Sequence, residues 1–327
     1  RGKTTHRSQI STQMDIRSGV HVLLLFSWWL STAQSNPDYV REFPEKYTLR
    51  LGMQSTFNSF SLTNRANNSI LEVLPNDKTY LGASFLFRSL EVDLGFAPNF
   101  LSENKDNDDS RLFTLNFRMF LGKWMQTLDF YSQKGFFASD GNNTLLLPEM
   151  SSLKIGGTTG YVFNDRFSFR AIGFQNEWQK KSAGSFIPRL TIYYTKLDLH
   201  DDSPDSPTNS YDIALGPGYY YNWVIKKHFI FSLGATVGLG VNITSSGFTN
   251  QTTSLTQVIF RTAIGYNSER FFAGLNASAQ LLQHSTDPDT VQDDIITFGE
   301  FYMGYRFNAP KSWIQKADRF NRKFGLD

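Results

Sequence analysis

The stretch "KHFIFSLGATVGLGVN", residues 227–242, decides the fold class. From Phe229 to Val241 every odd position is apolar, while most even positions from Ile230 to Asn242 are small or polar. Successive side chains of a strand point to opposite faces, so the pattern predicts a strand with one apolar face and one small, polar face. About thirteen such residues at ~3.3 Å each, tilted by roughly 45°, span the ~30 Å hydrocarbon core of a bilayer. Soluble strands usually have ~5 to 6 residues, so we expect the apolar face to meet lipid.

The composition is compatible with a membrane barrel and excludes several chemistries. The chain has 327 residues, of which 40% are hydrophobic and 15% aromatic, and its mean hydropathy is −0.34. A transmembrane barrel has such values because every second residue faces a polar lumen. Cysteine is absent, which excludes disulfides, cysteine-based zinc sites and cysteine nucleophiles. We expect no cofactor and no metal site.

A secretory signal is predicted near the beginning of the sequence. From Met14, a short region with Arg17 precedes an apolar run, 20–30, and then small residues that a signal peptidase recognises, with cleavage before Gln34. Eleven apolar residues are far fewer than the ~20 of a spanning helix. Residues 1–33 contain four of the 32 basic and one of the 30 acidic residues, so their removal changes the net charge from +2 to −1. This balance gives no reason to expect nucleic-acid binding.

Alternating segments fill the remainder of the chain. We predict strands at 46–62, 69–87, 90–98, 111–121, 124–131, 151–163, 166–175, 185–196, 211–223, 228–243, 253–266, 270–284 and 295–307. Aromatic residues gather at strand ends, as an interfacial girdle requires. The expected organisation is a periplasmic segment 34–45, an antiparallel transmembrane β-barrel 46–307, and a C-terminal helix 308–327.

The connections between these strands indicate which end of the barrel faces outward. Short turns are predicted at 88–89, 122–123, 164–165, 226–227 and 267–268, with longer polar loops between them. Outer-membrane barrels have tight periplasmic turns and long external loops. The loops 99–110, 197–210 and 285–294 hold twelve acidic residues and a single base, Lys105. We therefore expect an outer-membrane protein with both termini in the periplasm.

The number of strands is the open point. Thirteen segments conflict with the even number that a closed barrel with both termini on one side needs. Either 166–196 forms one interrupted ascending element, which gives twelve strands, or 176–187 adds a return crossing, which gives fourteen. The intervening "NEWQKKSAGSFI" is too polar to face lipid. Twelve is the preferred count, with this segment inside the lumen or over its mouth.

Several stretches resemble a known family. They are "PEKYTLR" at 44–50, "LEVLPNDKTYLGASF" at 71–85, "QKGFF" at 133–137, "KSAGSF" at 181–186 and the long run 211–242. Together they resemble the Bacteroidota outer-membrane family known as domain of unknown function 4421, over residues 37 to about 320. The resemblance implies a barrel in a Gram-negative outer membrane. It brings no catalytic or binding residues with it.

Few residues could carry catalysis. The histidines beyond the leader are His200, His228 and His284, and His284 is followed by Ser285. A hydrolase needs a nucleophile, a base within hydrogen-bond reach and an orienting group. Neighbours along a strand point to opposite faces, so His284 and Ser285 make a poor pair. We expect a non-enzymatic protein, with an outer-membrane hydrolase of the lipase or protease type as the alternative.

The acidic loops suggest a loose association with cations. "SENKDNDDS" at 102–110 and "DPDTVQDD" at 287–294 offer carboxylates at alternate positions, but neither has the glycine and terminal glutamate of an EF-hand loop. We expect these loops to share divalent cations with lipopolysaccharide phosphates. The expected partners are outer-membrane lipid and lipopolysaccharide, and no protein partner is indicated.

The phase of the strands places charged residues in the lumen. Six bases and five acids are predicted to face inward: Arg50, Glu91, Asp93, Arg118, Asp129, Lys154, Arg170, Asp212, Arg261, Glu300 and Arg306. A pore that selects one sign of ion would carry a one-sided ring of charge. A balanced set indicates paired networks that fill the interior, or a narrow selective conduit.

Two further segments complete the prediction. A constriction of the lumen is expected at Lys180, Lys181, Ser182, Ala183, Gly184, Ser185 and Phe186, with the lysines paired to acids such as Glu91, Asp93 or Asp129. In the tail, Trp313, Ala317, Phe320 and Phe324 share one face of a helix whose other residues are largely basic. This helix could lie on the inner-leaflet interface, cap the periplasmic mouth or hold a partner. The sequence thus predicts a narrow or plugged channel, or an envelope scaffold.

Overall fold

The structure, a computed structural model, describes residues 35–75, 79–96, 110–173, 177–200, 206–247, 249–285 and 290–324. These residues form an antiparallel sheet closed into a barrel, with a small separate two-stranded sheet and one helix. The strands are β1 Val40–Glu42, β2 Lys46–Asn64, β3 Ser69–Pro75, β4 Tyr80–Phe87, β5 Leu90–Phe96, β6 Arg111–Leu121, β7 Trp124–Ser139, β8 Thr144–Tyr161, β9 Glu177–Gln179, β10 Ala183–Phe186, β11 Arg189–Asp198, β12 Thr208–Gly216, β13 Gly218–Ile225, β14 Phe229–Ser246, β15 Thr249–Asn267, β16 Phe271–Ser285 and β17 Thr290–Asn308. The helix α1 is Lys311–Phe324.

The wall closes because the last strand pairs with the first long one. β17 and β2 are antiparallel in continuous register from Thr290 opposite Asn64 to Asn308 opposite Lys46. Counting interrupted strands as one, the described chain crosses the wall twelve times, each crossing paired with its neighbours in sequence order. The predicted antiparallel barrel of twelve strands is confirmed. Closure leaves no free sheet edge, the condition for strands to span a bilayer.

Two adjacent crossings are interrupted at prolines. β10 and β11 are separated by Pro188, and β12 and β13 by Pro217. Proline has no backbone N–H and cannot donate to a β ladder. Hydrogen bonds from neighbouring backbone groups continue across both breaks, including Ile187 N–H to Gly218 O at 2.8 Å. The ascending crossing is therefore a single interrupted strand, which agrees with the predicted count of twelve, but it begins at Ala183 and does not include residues 166–173 as predicted.

The wall is not uniform in height. β5 and β6 are short, and beyond them β3 pairs with β7, for example Val73 with Ala138. At the end of the barrel farther from the turns 88–89 and 122–123, the wall therefore consists of ten of the described strands, because β3 takes the place of β4, β5 and β6 between β2 and β7. β7 changes its partner from β6 to β3 at a bulge at Gly135, which has a φ of +89° and lies close to Ser110. A residue with a side chain would be strained in that conformation.

The two faces of the wall follow the alternation in the sequence. In β14 the odd residues are exposed and the even residues are mostly buried, and Leu239 is 72% exposed. Outward-facing aromatic residues lie at the end with the short turns, including Trp223 stacked on Phe231 and Phe229 against Tyr266. The exterior is thus an apolar belt with an aromatic border, and the interior is polar.

Some predicted boundaries differ from the observed ones. The predicted strand 166–175 is wrong: residues 166–173 form turns and bends inside the barrel instead, and 174–175 lie outside the described residues. β7 and β8 extend to a tight turn at 140–143, so no long loop separates them. β17 begins at Thr290, which places Asp293 and Asp294 in the wall rather than in an acidic loop. Polar residues at the ends of these strands belong to the β ladder, because the strands continue beyond the stretches in which apolar and polar residues alternate.

Several expectations fall outside the described residues. The predicted leader, 1–33, and most of the acidic loops, 99–109, 201–205 and 286–289, are among them. The predicted periplasmic segment 34–45 is described from residue 35, and its β1 pairs with β9, with Val40 opposite Gln179. In the described part of the chain, no helix is both long and apolar enough to cross a membrane.

Candidate functional site: the barrel interior

The lumen contains a segment of the chain that we call the plug, residues 164–173 and 177–182. It follows β8 and precedes β10, which are neighbours in the wall. Its Phe167, Phe169 and Ile172 are buried. They pack in one apolar cluster with inward-facing wall residues, namely Leu86, Phe120, Met125, Ala183, Ile187, Tyr220 and Ala263. The plug therefore fills the barrel at the end with the short turns.

Polar groups of the plug bond to each other and to the wall. Arg170 donates to Glu177 Oε1 at 2.9 Å, and Ser168 Oγ donates to Glu177 Oε2 at 2.6 Å. Asn267 of the wall donates to the Glu177 carbonyl at 2.9 Å, and Asn222 to the Ser168 carbonyl at 2.9 Å. Burial raises the pKa of the Glu177 carboxyl, which the Arg170 guanidinium partly offsets. The plug is held by side-chain contacts to the wall.

A network of charged residues lies beside the plug. Arg50 Nη2 is 3.0 Å from Asp93 and 3.5 Å from Glu91, and its Nε is 3.9 Å from Glu300. Arg50 also donates to the carbonyl of Gly173 in the plug. Arg118 pairs with Asp93. Arg50 faces carboxylates on β5 and β17, and Arg118 faces one on β5, so these charges are compensated within the lumen.

Two guanidinium groups contact the plug at the middle of the barrel. The guanidinium groups of Arg189 and Arg261 lie 5.7 Å and 5.6 Å from the centre of the Phe169 ring. Arg189 also donates to Tyr220 Oη at 3.0 Å and to Thr158 Oγ1 at 2.9 Å. Cation–π contacts stabilise a desolvated cation by up to ~2 kcal/mol. Phe169 thus lies inside the barrel, in contact with two guanidinium groups of the wall.

A second group of charges fills the far half of the lumen. Lys154 pairs with Asp294, and both side chains are almost completely buried. Asn242 donates to Asp212 Oδ1 at 2.6 Å. Tyr193 donates to Asp129 at 2.8 Å. These three contacts pair buried polar groups within the lumen, as is typical of a packed protein interior.

Arg306 anchors the end of the lumen that the short turns close. Its guanidinium donates to Asn267 Oδ1 at 2.9 Å and to the Ser268 carbonyl at 2.5 Å. It also lies 4.2 Å from the centre of the Phe43 ring and 4.9 Å from that of Phe272. Phe43 belongs to the N-terminal segment, so this segment, the wall and the plug meet at one place.

The charged residues that were predicted to face inward lie inside the barrel. Ten of them lie on wall strands with side chains inside the barrel: Arg50, Glu91, Asp93, Arg118, Asp129, Lys154, Asp212, Arg261, Glu300 and Arg306. Arg170 also lies inside, but on the plug and not on a strand. The structure brings five of them, Arg50, Glu91, Asp93, Arg118 and Glu300, together in one ion-pair network, whereas Lys154 and Arg170 pair with Asp294 and Glu177, and Asp129 and Asp212 bond to neutral side chains.

The predicted constriction, Lys180 to Phe186, is placed differently. Residues Ala183–Phe186 form β10 of the wall, and Phe186 faces outward against Phe163. Lys180 donates to the Pro37 carbonyl at 2.6 Å, and Lys181 lies 5.1 Å from the Tyr39 ring centre. The expected pairing of these lysines with Glu91, Asp93 or Asp129 is wrong, because both lysines contact the N-terminal segment instead. The residues that fill the lumen come immediately before this stretch.

Three interior residues were not predicted from the sequence: Arg189, Asp294 and Glu177. Arg189 has the inward phase of its strand, shared with Thr191 and Tyr193, so alternation alone could have found it. Asp294 was assigned to an acidic loop. Glu177 lies on the plug, where no strand phase exists to predict it.

The described interior offers little for catalysis. No group of three or more His, Asp or Glu residues in the described ranges could hold a metal ion. His284 is buried, and its Nδ1 has no hydrogen-bond partner among the described residues. The His228 ring lies between Trp178 and Tyr266 in an aromatic stack. These histidines pack against the protein and do not face a common cavity.

The closed twelve-stranded wall, its apolar belt and its polar, filled interior define the class: an outer-membrane β-barrel protein. The chain belongs to the family described as domain of unknown function (DUF4421), whose model matches residues 34–307. The family resemblance seen in the sequence is confirmed. No curated protein matches the chain.

Solved structures with a similar arrangement are distant relatives at most. An outer membrane channel from Pseudomonas putida F1 is 12% identical, with 83% of this chain and 99% of that chain covered and a TM-score of 0.38. A bacterial polysaccharide outer membrane secretin is 11% identical, with 81% and 100% covered and a TM-score of 0.37. The outer membrane protease OmpT from Escherichia coli is 6% identical, with 81% and 97% covered and a TM-score of 0.32.

Proposed function

We propose that this chain is a plugged, non-enzymatic outer-membrane conduit, closed at rest, in which movement of the plug opens a narrow path. Both termini lie in the periplasm, and the exterior contacts outer-membrane lipid and lipopolysaccharide. The observation that supports the proposal is that the wall ladder is complete without the plug. The plug can therefore move without breaking the wall.

The contacts of the plug fit a reversible closure. They are cross-lumen hydrogen bonds and ring contacts, such as Arg50 to the Gly173 carbonyl and Arg189 beside Phe169. A hydrogen bond contributes a net ~0.5–1.5 kcal/mol, or more where a charge takes part. A few such contacts hold a segment closed yet can be exchanged for water.

A deletion tests whether the plug closes the lumen. Residues 166–180 are replaced by a short Gly-Ser linker, which can join β8 to β10 because these strands are neighbours. We expect the variant to fold, to remain heat-modifiable on gels, and to show single-channel conductance several times that of the unaltered protein. As a control, the same linker replaces the outer turn 140–143, and conductance should stay unchanged.

The outcome distinguishes the candidate roles. If the deletion variant folds and its conductance equals that of the unaltered protein, the lumen is closed by the wall charges and the protein is an envelope scaffold. Activity of the folded protein against lipid or peptide ester substrates would instead favour the hydrolase alternative, although no serine hydroxyl among the described residues is hydrogen-bonded to a histidine.

A further inference from the structure

The helix α1 lies against the outside of the barrel and does not cap its mouth. Ala309 N–H donates to the Glu45 carbonyl at 2.8 Å, which fixes the chain just before the helix. Trp313 packs on Phe85 and Phe87 of β4, with ring centres 6.1 Å and 6.0 Å away. Both phenylalanines have the outward phase of their strand, since Leu86 between them is buried inside.

This position continues the aromatic border of the apolar belt. The Trp313 ring is also 5.6 Å from that of Tyr47, which stacks on Phe307 at 5.2 Å. Such outward aromatic residues mark the depth at which hydrocarbon meets headgroups. Because they lie at the end with the short turns, α1 lies at the inner-leaflet boundary of the barrel.

The helix has two distinct faces. Trp313, Ala317 and Phe320 recur at i, i+4 and i+7; Trp313 remains 40% exposed despite its contact with the barrel, and Phe320 is 54% exposed. On another side, Lys316 and Arg319 are three residues apart. With about 100° per residue, Lys311 and Arg322 point away from the apolar residues, and Lys316 and Arg319 lie along the flank of the apolar face. An amphipathic helix of this kind lies in the plane of a membrane surface.

The charge of the exposed helix surface is positive. Lys311, Lys316, Arg319 and Arg322 are exposed, and none has a carboxylate within 4.0 Å among the described residues. The acidic residue on the helix, Asp318, is 2.6 Å from Arg88 of the β4–β5 turn. That ion pair removes the negative charge from the free surface and fixes the rotation of the helix.

From these observations we infer that α1 is a binding surface for anionic phospholipid headgroups at the periplasmic boundary of the membrane. The basic residues lie where headgroup phosphates lie when Trp313 and Phe320 enter the hydrocarbon edge. Juxtamembrane cations are each attracted to an anionic surface by ~1 kcal/mol. The inference rests on the membrane position of the barrel and is independent of the plug.

The test compares two double variants with equal charge. Arg319→Gln/Arg322→Gln removes cations of α1, and Lys226→Gln/Lys227→Gln removes two exposed cations of a turn at the same end. Each purified protein in detergent is titrated with phosphatidylglycerol and, separately, with phosphatidylcholine, and bound lipid is measured by native mass spectrometry. We expect phosphatidylglycerol affinity to fall by about 30-fold in the α1 variant. The turn variant should resemble the unaltered protein.

Other outcomes would overturn the inference. They are equal loss in both variants, unchanged phosphatidylglycerol affinity in the α1 variant, or a parallel loss for phosphatidylcholine. A shift of the α1 variant from oligomer to monomer in light scattering would instead identify a protein contact. If the variant loses heat-modifiability and so fails to fold, Lys311→Gln/Lys316→Gln tests the same surface with the same expected fall.

Discussion

Single buried ion pairs illustrate how a barrel with a polar interior is stabilised. Lys154 and Asp294 lie on β8 and β17, which are not neighbours in the wall, so their pair links opposite sides of the lumen. Removal of one partner leaves an uncompensated charge in a desolvated place, whereas removal of both leaves none. The pair therefore connects the stability of two distant strands.

A double-mutant cycle measures this link. Lys154→Met should lower the free energy of unfolding by ~3–5 kcal/mol, because the Asp294 carboxylate loses its cation. Lys154→Met/Asp294→Asn should cost less than the sum of the two single changes. Urea unfolding followed by gel mobility gives the three differences. Additive costs would show that the two side chains do not depend on each other.

Leu239 tests the apolar belt at a single position. It is near the middle of β14 and 72% exposed. Leu239→Arg should destabilise the folded barrel by ~2–4 kcal/mol, since a charged side chain would face the bilayer centre. Leu239→Phe keeps an apolar surface and should have little effect. Equal stability of the two variants in lipid vesicles would argue against lipid contact at this strand.

At the scale of elements, wall strands could be predicted from the sequence and the plug could not. In β14, thirteen residues alternate between apolar side chains outside and mostly small or polar side chains inside, and a pattern of this length indicates a strand clearly. In 166–175, Phe167 and Phe169 mimic that alternation but pack against inward wall residues. The same alternating pattern therefore occurs in a wall strand and in the plug, and only the closed barrel of the structure shows which of the two a segment belongs to.

The candidate site was predictable where it follows strand phase. Arg50 and Glu300 were found because inward positions alternate along β2 and β17. Their partners could not be derived in this way, since pairing across the lumen depends on the closure register of β17 with β2. The contact of Arg50 with Gly173 requires knowledge of the plug, which has no periodic pattern.

The outer turn between β7 and β8 should respond to pH. Backbone N–H groups of Asn143 and Asn142 donate to Asp140 at 2.7 Å and 2.9 Å, and they hold the pKa of its carboxyl below its usual value. The stabilisation is therefore present above the unfolded pKa of ~3.9 and is lost as pH falls through the lower, folded value. Hydrogen exchange of the backbone amides of Asn142 and Asn143 should become faster below that pH. Asp140→Asn should remove the pH dependence.

The plug can be locked to the wall to test whether it moves. A Cβ built on Gly173 would lie 3.4 Å from Cβ of Asn276 on β16, close to the separation in disulfides. The chain has no cysteine, so Gly173→Cys/Asn276→Cys introduces a single pair. We expect oxidation to suppress channel openings and reduction to restore them.

The single variants Gly173→Cys and Asn276→Cys are the controls, because Gly173 has a φ of +76° and any side chain there is strained. Openings that are unaffected by oxidation of the pair would show that the plug stays in place while the protein conducts. The plug would then be a permanent part of the scaffold.

For the whole molecule, the height of the wall fixes how it lies in the membrane. The longest strands have 19 residues, and at ~3.3 Å each and a tilt of roughly 45° they span about 45 Å, more than the ~30 Å hydrocarbon core. The aromatic border and α1 fix the end with the short turns at one membrane interface. The excess height must therefore project from the other membrane surface, which is the cell surface in the proposed orientation, and there β15 begins with exposed polar residues such as Asn250 and Gln251.

This arrangement predicts the topology of the protein in cells. Asn142→Cys, on the exposed outer turn, should react with a membrane-impermeant maleimide added to intact cells. Lys311→Cys, at the exposed start of α1, should react only after the outer membrane is opened, because the proposed orientation places the helix on the periplasmic side. Since the chain has no other cysteine, each signal comes from one site. Labelling of Lys311→Cys but not of Asn142→Cys on intact cells would mean that the barrel has the opposite orientation, with its projecting rim in the periplasm.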